Sequence, residues 1–315
     1  MPVLDIIIIS WNTEALTRAC LTSLYSELAG IDGEAQVWIV DNNSGDGSAA
    51  MVRREFPQVH LIENQENVGF ARANNQVLSQ ATAPFQLLLN SDTVVHPGSL
   101  AQMLKFLQAH ADISAVGPKL VYPDGIVQRS YTCLPSARGE LKYCMAFHFF
   151  PFNRLFFALF GFGGRSWEAD GQARPVEVLS AACLLIRKEV FDEVGLLAEN
   201  YFLFSEENDL FCRMMRAGYR SYYFPEAVVT HVVGASRRQR GGFDSQINFL
   251  KSRMIYFQRY HPNSYGRVLR TYRFFLNWSL AMAKASATLK RLRESDFVLL
   301  YRKLLITLDE VTAGT

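Results

Sequence analysis

No glycine-rich phosphate loop is written into this chain. G-x-G-x-x-G does not follow the first apolar run, and G-x-x-x-x-G-K-[ST] occurs nowhere, which disfavours a nicotinamide oxidoreductase and a P-loop NTPase. Cysteine is scarce: Cys20, Cys133, Cys144, Cys183 and Cys212 show no paired metal spacing and are odd in number. They read as reduced, mostly buried thiols of a cytosolic protein. The start, Met-Pro-Val-Leu-Asp-Ile-Ile-Ile-Ile, lacks a basic n-region and a small-residue cleavage site, so it reads as a strand and not as a signal peptide. No uncharged apolar run approaches the roughly 20 residues that a spanning helix needs. Internal repeats and low-complexity linkers are also missing.

What the chain does have is a large apolar fraction, 49% of 315 residues, enough for one large α/β domain with additions. Its formal net charge of +2 is unevenly spread. Residues 245–315 hold 12 Lys/Arg against 4 Asp/Glu, a formal +8, which leaves −6 on residues 1–244. The basic, aromatic tail suits an anionic membrane surface better than nucleic acid.

The chain is organised around Gln86-Leu87-Leu88-Leu89-Asn90-Ser91-Asp92-Thr93. The leucines read as a buried strand of a parallel sheet, and polar Asn90 and Asp92 stand where it ends. Ligands of open α/β sheets bind at the carboxyl ends of strands, and a carboxylate there can hold a hard cation against a diphosphate. A lone Asp in that place also serves as a helix cap, so its neighbours have to decide. Leu4–Ile9, Val37–Val40 and Val59–Ile62 precede it as strands, with helices from Leu16 to Leu28 and from about Phe70 to Gln80. That alternation predicts a doubly wound, mostly parallel sheet flanked by helices.

Six loop motifs then carry a resemblance. Ile9-Ser10-Trp11-Asn12 with Glu14, Val40-Asp41-Asn42-Asn43-Ser44, Asn67-Val68-Gly69-Phe70-Ala71-Arg72, and Leu89-Asn90-Ser91-Asp92 come first. Phe204-Ser205-Glu206-Glu207-Asn208-Asp209-Leu210 with Arg213, and Thr230-His231 with Gly234 and Ser236, follow. Together these resemble family 2 glycosyltransferases of the GT-A fold, in the branch often called rhamnosyltransferase-like, over about residues 3–260. The resemblance implies an inverting transferase that moves a sugar, L-rhamnose from dTDP-rhamnose or another UDP/dTDP-sugar, onto a glycan or lipid-linked glycan acceptor in cell-surface polysaccharide synthesis.

It also implies roles. Ser10, Trp11, Asn12, Glu14 and Asp41 surround the nucleobase, where a carboxylate at Asp41 can accept a pyrimidine N–H. Asn67 and Gly69 shape a turn, and Arg72 is either a phosphate donor or a solvated helix arginine. The family's Asp-x-Asp stands here as Asn90-Ser91-Asp92, so Asn90 is left to a ribose hydroxyl and Asp92 to the cation, Mg²⁺ or Mn²⁺. His231 is implied as the second protein ligand, a donor that suits Mn²⁺. Glu207 aligns with the general base. Glu206, Glu207 and Asp209 otherwise suit the first turn of a helix, with Ser205 as its cap and Asp209–Arg213 as a pair along it.

The implied architecture is a nucleotide-sugar-binding and catalytic domain, residues 1–244, and a basic amphipathic helical extension, residues 245–315. An aromatic insert at about 125–175, dense in phenylalanine from Tyr143 to Phe162, faces the acceptor or the bilayer, or else folds as a buried helical hairpin. Arg237-Arg238-Gln239-Arg240-Gly241-Gly242 is expected either to close over the diphosphate or to stay a solvated run. The enzyme is expected in the cytoplasm, peripheral at the inner face of the membrane, with the extension touching anionic lipid or a second copy. Two rivals remain: a sugar-nucleotide nucleotidyltransferase and a nucleotide-binding scaffold with decayed catalysis, which Asn90 keeps open.

Overall fold

Alternate residues of the central strands serve two different cores. A computed structural model describes residues 2–148, 171–232, 243–289 and 296–313. These divide into two compact units: described residues of Met1–Leu134 and Gly171–Arg240, and described residues of Pro135–Asp170 and Gly241–Thr315.

In the first unit the chain runs β1 (Leu4–Ser10), α1 (Glu14–Leu28), β2 (Ala35–Asp41), α2 (Ser48–Glu55), β3 (His60–Glu63), α3 (Phe70–Leu78) and β4 (Phe85–Asn90). It continues through β5 (Thr93–Val95), α4 (Ser99–Ala109), β6 (Ala115–Val121) and β7 (Tyr131–Thr132). From residue 171 it adds β8 (Arg174–Val176), β9 (Val178–Leu179), β10 (Cys183–Arg187), α6 (Lys188–Val194), α7 (Glu206–Arg216) and β11 (Ser221–His231).

Ile6, Ile8, Leu87, Leu89 and Leu185 turn to one face, against Leu21 and Leu24 of α1 and Leu104 and Leu107 of α4. Ile7, Leu88, Leu184 and Ile186 turn to the other, against Val77 of α3 and Leu210, Phe211 and Met214 of α7. This is why the strands read as unbroken apolar runs: a sheet covered on both faces has no polar side. Each fully buried Leu or Ile contributes about 1.5–3 kcal/mol.

The strand order is β3-β2-β1-β4-β10-β6-β11-β5, with β8 paired to β11 and a separate β7-β9 ladder. The β3-β2-β1-β4 half is parallel, in a register that sets Ser10 opposite Asp41 and Ile9 opposite Asn90. The loops after β1, β2 and β4 therefore open on one edge. β10 runs antiparallel between β4 and β6, and β5 and β8 are antiparallel to β11. The sheet is thus mixed, with the parallel part on the side expected to hold the nucleotide.

The second unit contains α5 (Ala137–His148), α8 (Asp244–Tyr260), α9 (Pro262–Leu289) and α10 (Asp296–Ala313). Its core includes Cys144, Leu250, Met254, Phe257, Val268, Leu276, Leu304 and Leu308. The Tyr272 hydroxyl donates to Glu140 at 2.5 Å, and Arg253 Nε lies 3.4 Å from the same carboxylate. Of the residues expected in the insert, 125–134 and 171–175 fall in the first unit, and α5 packs against α9 in the second. Residues 149–162 of the phenylalanine-rich run and 237–242 of the basic loop lie outside the described residues. Among the described residues, no helix is long and apolar enough to cross a membrane.

Candidate active site

The loops after β1 and β2 brace each other at the open edge. Asn12, at a left-handed φ of 51°, receives Gly45 N–H on its side-chain oxygen at 2.7 Å and donates its own N–H to Ser44 at 2.9 Å. Glu14 N–H donates to Asp46 at 2.8 Å, and the Glu14 carboxylate pairs with Arg18 at 2.7 Å. Trp11 is half-buried between these braces. The Ser10 hydroxyl faces inward, 3.1 Å from Thr17 and 3.3 Å from Thr13, which in turn meets Ser91 at 3.1 Å. That buried hydroxyl chain ties the end of β1 to the turn carrying Asp92.

Asp41, 3% exposed, accepts Ser44 N–H at 2.8 Å through one oxygen, and its other oxygen is buried without a hydrogen-bond partner. An unsatisfied buried carboxylate oxygen is costly, which marks Asp41 as a place where a donor is wanted. Asn90 holds its turn through the backbone, donating to Ala182 at 3.0 Å and accepting the Thr93 hydroxyl at 2.7 Å. Arg72 is exposed, with Glu199 at 3.9 Å, and this loose ion pair contributes little.

β5 and β11 pair antiparallel so that His231 lies opposite Thr93, and Val232 N–H donates to the Asp92 carbonyl at 2.8 Å. His231 Nε2 stands 3.3 Å from Asp92 Oδ1 with both side chains mostly buried. Two ligands at about 2.1 Å and about 90° on an octahedral ion lie roughly 3 Å apart, so this donor pair fits a hard or borderline divalent cation. Among the described residues, no third His, Cys, Asp or Glu joins this pair in a group that could hold a metal ion. One residue missed in the sequence supports the pair. Buried Gln128 places its carbonyl oxygen 3.1 Å from His231 Nδ1 and its amide nitrogen 2.5 Å from the His231 carbonyl and 3.1 Å from that of Val121.

On the other side of the edge, Phe204 and Ser205 take left-handed φ of 70° and 66° immediately before Glu206. Ser205 stands at the N-cap position of α7 in a left-handed conformation, and its side chain makes no cap bond. Two such non-glycine residues in succession are strained, and strain of this kind is held at working loops. Glu206 is buried with one oxygen unpartnered. Burial, followed by the charge of Glu207, pushes its carboxyl well above the usual range. Glu207 is half-buried. Asp209 is fully buried, and Arg213 joins it at 2.8 Å while donating to the carbonyls of Val194, Gly195 and Leu196. That pair fastens α7, as its helical spacing implied.

Asn67 and Gly69 link this loop to the turn before α3. Asn67 accepts Gly69 N–H at 3.0 Å, and Phe70 N–H donates to the Phe202 carbonyl at 3.0 Å. A Cβ on Gly69, which holds φ of 86°, would meet that same carbonyl oxygen at 2.5 Å.

The model of "Glycosyl transferase family 2" matches residues 5–195. The chain belongs to glycosyltransferase family 2. The N-acetylglucosaminyl-diphospho-decaprenol L-rhamnosyltransferase of Mycobacterium tuberculosis is 31% identical over 206 residues, covering 62% of this chain and 66% of that protein. An O-antigen biosynthesis protein of Myxococcus xanthus is 26% identical over 208 residues, 64% of this chain and 15% of the relative. This chain thus spans a little under two thirds of the first relative and a small part of the second. Among solved structures, a mannosyltransferase from Pyrobaculum calidifontis in complex with GDP-Man and Mn²⁺ aligns at a TM-score of 0.54. That alignment has 18% identity and covers 99% of this chain and 86% of the other. It establishes the glycosyltransferase fold, with its mixed sheet and flanking helices.

Proposed function

We propose that this chain is a metal-dependent, inverting glycosyltransferase that moves a sugar from a nucleoside diphosphate to a glycan or lipid-linked glycan in cell-surface polysaccharide synthesis. The observation that supports it most is the pairing of Asp92 with His231 at 3.3 Å on the edge where the parallel strands end. Asp41 receives a uracil or thymine N–H on its unpartnered oxygen, and Asn90 takes a ribose hydroxyl. Trp11, with Asn12 and Glu14 holding its loop, walls the base. Arg72, exposed and in a loose ion pair with Glu199, is available to the phosphates. Asp92 and His231 hold Mg²⁺ or Mn²⁺, which when bound supplies positive charge beside the diphosphate.

Glu207 accepts the proton of the acceptor hydroxyl as its oxygen forms a bond to the anomeric carbon. The bond from that carbon to the diphosphate oxygen breaks on the opposite face, and the nucleoside diphosphate leaves with the electron pair. Burial raises the Glu206 carboxyl and disfavours its charged form, whereas Glu207 is the half-buried acid of the two. The M. tuberculosis relative supports L-rhamnose as the sugar and a polyprenyl-linked acceptor, and the basic C-terminal helices support work at an anionic membrane face.

Calorimetric titration with UDP, dTDP and GDP, each with and without Mn²⁺, tests the reading. UDP or dTDP is expected to bind more tightly with the metal, and Asp92→Ala and His231→Ala to lose that enhancement while remaining folded. Metal-indifferent binding, or a preference for GDP, overturns the assignment of the cation site or of Asp41 respectively.

A further inference from the structure

We propose that Gln128 is a positioning residue that fixes the tautomer of His231 and so presents Nε2, with its lone pair, towards Asp92. The proposal rests on the cation site put forward above and assigns it a supporting side chain. Gln128 is 6% exposed, in the segment between β6 and β7. One terminal atom of its amide lies 2.5 Å from the His231 carbonyl and 3.1 Å from the Val121 carbonyl. Two carbonyl oxygens are acceptors only, so that atom is the NH₂ group, with both protons used. The other terminal atom, 3.1 Å from His231 Nδ1, is therefore the amide oxygen. An amide oxygen accepts and never donates, so a hydrogen bond there requires the proton on Nδ1. Neutral imidazole carries one N–H, which leaves Nε2 unprotonated at the end that faces Asp92 Oδ1.

The two carbonyls do more than orient the amide. Val121 ends β6 and His231 ends β11, which are parallel neighbours with Thr230 opposite Val121. Gln128 thus clamps the ends of two strands while it holds the imidazole between them. An outer partner of this kind sets ligand orientation, and removing one costs metal affinity by roughly 10–100-fold.

The test begins with the parent protein, metal-free, labelled with ¹³C,¹⁵N-histidine. The His231 resonance, assigned by its loss in His231→Ala, is expected to show the Nδ1–H tautomer near neutral pH. An Nε2–H tautomer in the parent overturns the proposal without any variant of Gln128. Gln128→Met, close in size and unable to bond Nδ1–H, is expected to mix the tautomers and weaken Mn²⁺ binding, read by electron paramagnetic resonance of free Mn²⁺, by 10–100-fold. Gln128→Glu retains an acceptor for Nδ1–H but sets a carboxylate oxygen against two carbonyls. It is expected to keep the tautomer while melting at a lower temperature than Gln128→Met. A purely structural Gln128 gives the other pattern, with the tautomer unchanged in Gln128→Met. If His231→Ala itself leaves Mn²⁺ binding intact, the cation site fails, whereas the tautomer measurement still decides the role of Gln128.

Discussion

Three acids compete at the start of α7, and the structure separates them by environment. Asp209 is spoken for by Arg213 and Tyr201, and Glu206 is buried with its carboxyl pushed up. Glu207, one residue and about 100° around the helix from Glu206, is the half-buried member. Glu207→Gln keeps size and polarity but removes basicity, so transfer is expected to fall by roughly 10²–10⁴-fold with donor binding retained. Glu206→Gln is expected to spare turnover and to flatten the pH dependence of stability. A carboxyl raised in the folded state contributes stability that is fully present below the ordinary carboxylate range and is lost as pH rises through the raised value. Near-normal transfer by Glu207→Gln together with an inactive Glu206→Gln would show that the motif is displaced by one residue. The sequence singles out Asp92, His231 and Glu207 by residue type and motif, and the structure sets the first two 3.3 Å apart and leaves the third half-buried. Gln128 was not legible there: a glutamine in a loop has no periodicity and no charge, and only the folded partners reveal its use.

At the scale of elements, the four parallel strands could be located to within a residue or two, since Ile and Leu runs bounded by turn formers leave little freedom. The reversal at β10 had no such signal, because Cys183-Leu184-Leu185-Ile186 reads the same in either direction. The packing of α5 with the C-terminal helices was hidden for a similar reason: an apolar helix face does not name its partner. The junction between the Asn67–Phe70 turn and the Phe202–Ser205 loop is the element on which the two sides of the site depend. Gly69→Ala adds a methyl 2.5 Å from the Phe202 carbonyl oxygen at a φ of 86°, so backbone must move. The expected cost is about 1–3 kcal/mol in denaturant unfolding, with loss of transfer beyond the loss of stability. Gly98→Ala is the control, since its φ of 78° is also left-handed but its Cβ would meet only the Gln102 side chain at 3.4 Å. Equal effects at the two positions would leave backbone conformation alone as the cause and remove the junction from the argument.

For the whole molecule the governing feature is the separation of charge, +8 on residues 245–315 against −6 on the remainder. In the helical unit, Arg267 and Arg270 of α9 and Arg302 and Lys303 of α10 are exposed, as are Phe274, Phe297 and Ile306, each more than half accessible. Arg273 is partly neutralised by Asp309 at 2.7 Å, which trims the field without removing it. Basic groups near an anionic bilayer contribute about 1 kcal/mol each, and exposed apolar rings add to this at the interface. The protein is therefore expected to co-sediment with vesicles containing phosphatidylglycerol and not with phosphatidylcholine alone. Raising salt shortens the screening length from about 10 Å at 0.1 M to about 3 Å at 1 M, so release over that range is expected. Reversing Arg267 and Arg270 to Glu should shift the release to lower salt, while Asp41→Ala should leave it unmoved. Binding that ignores salt would assign the attachment to Phe274, Phe297 and Ile306. No binding at all would leave the basic helices as a surface for a second copy, which sedimentation equilibrium would then detect as a dimer.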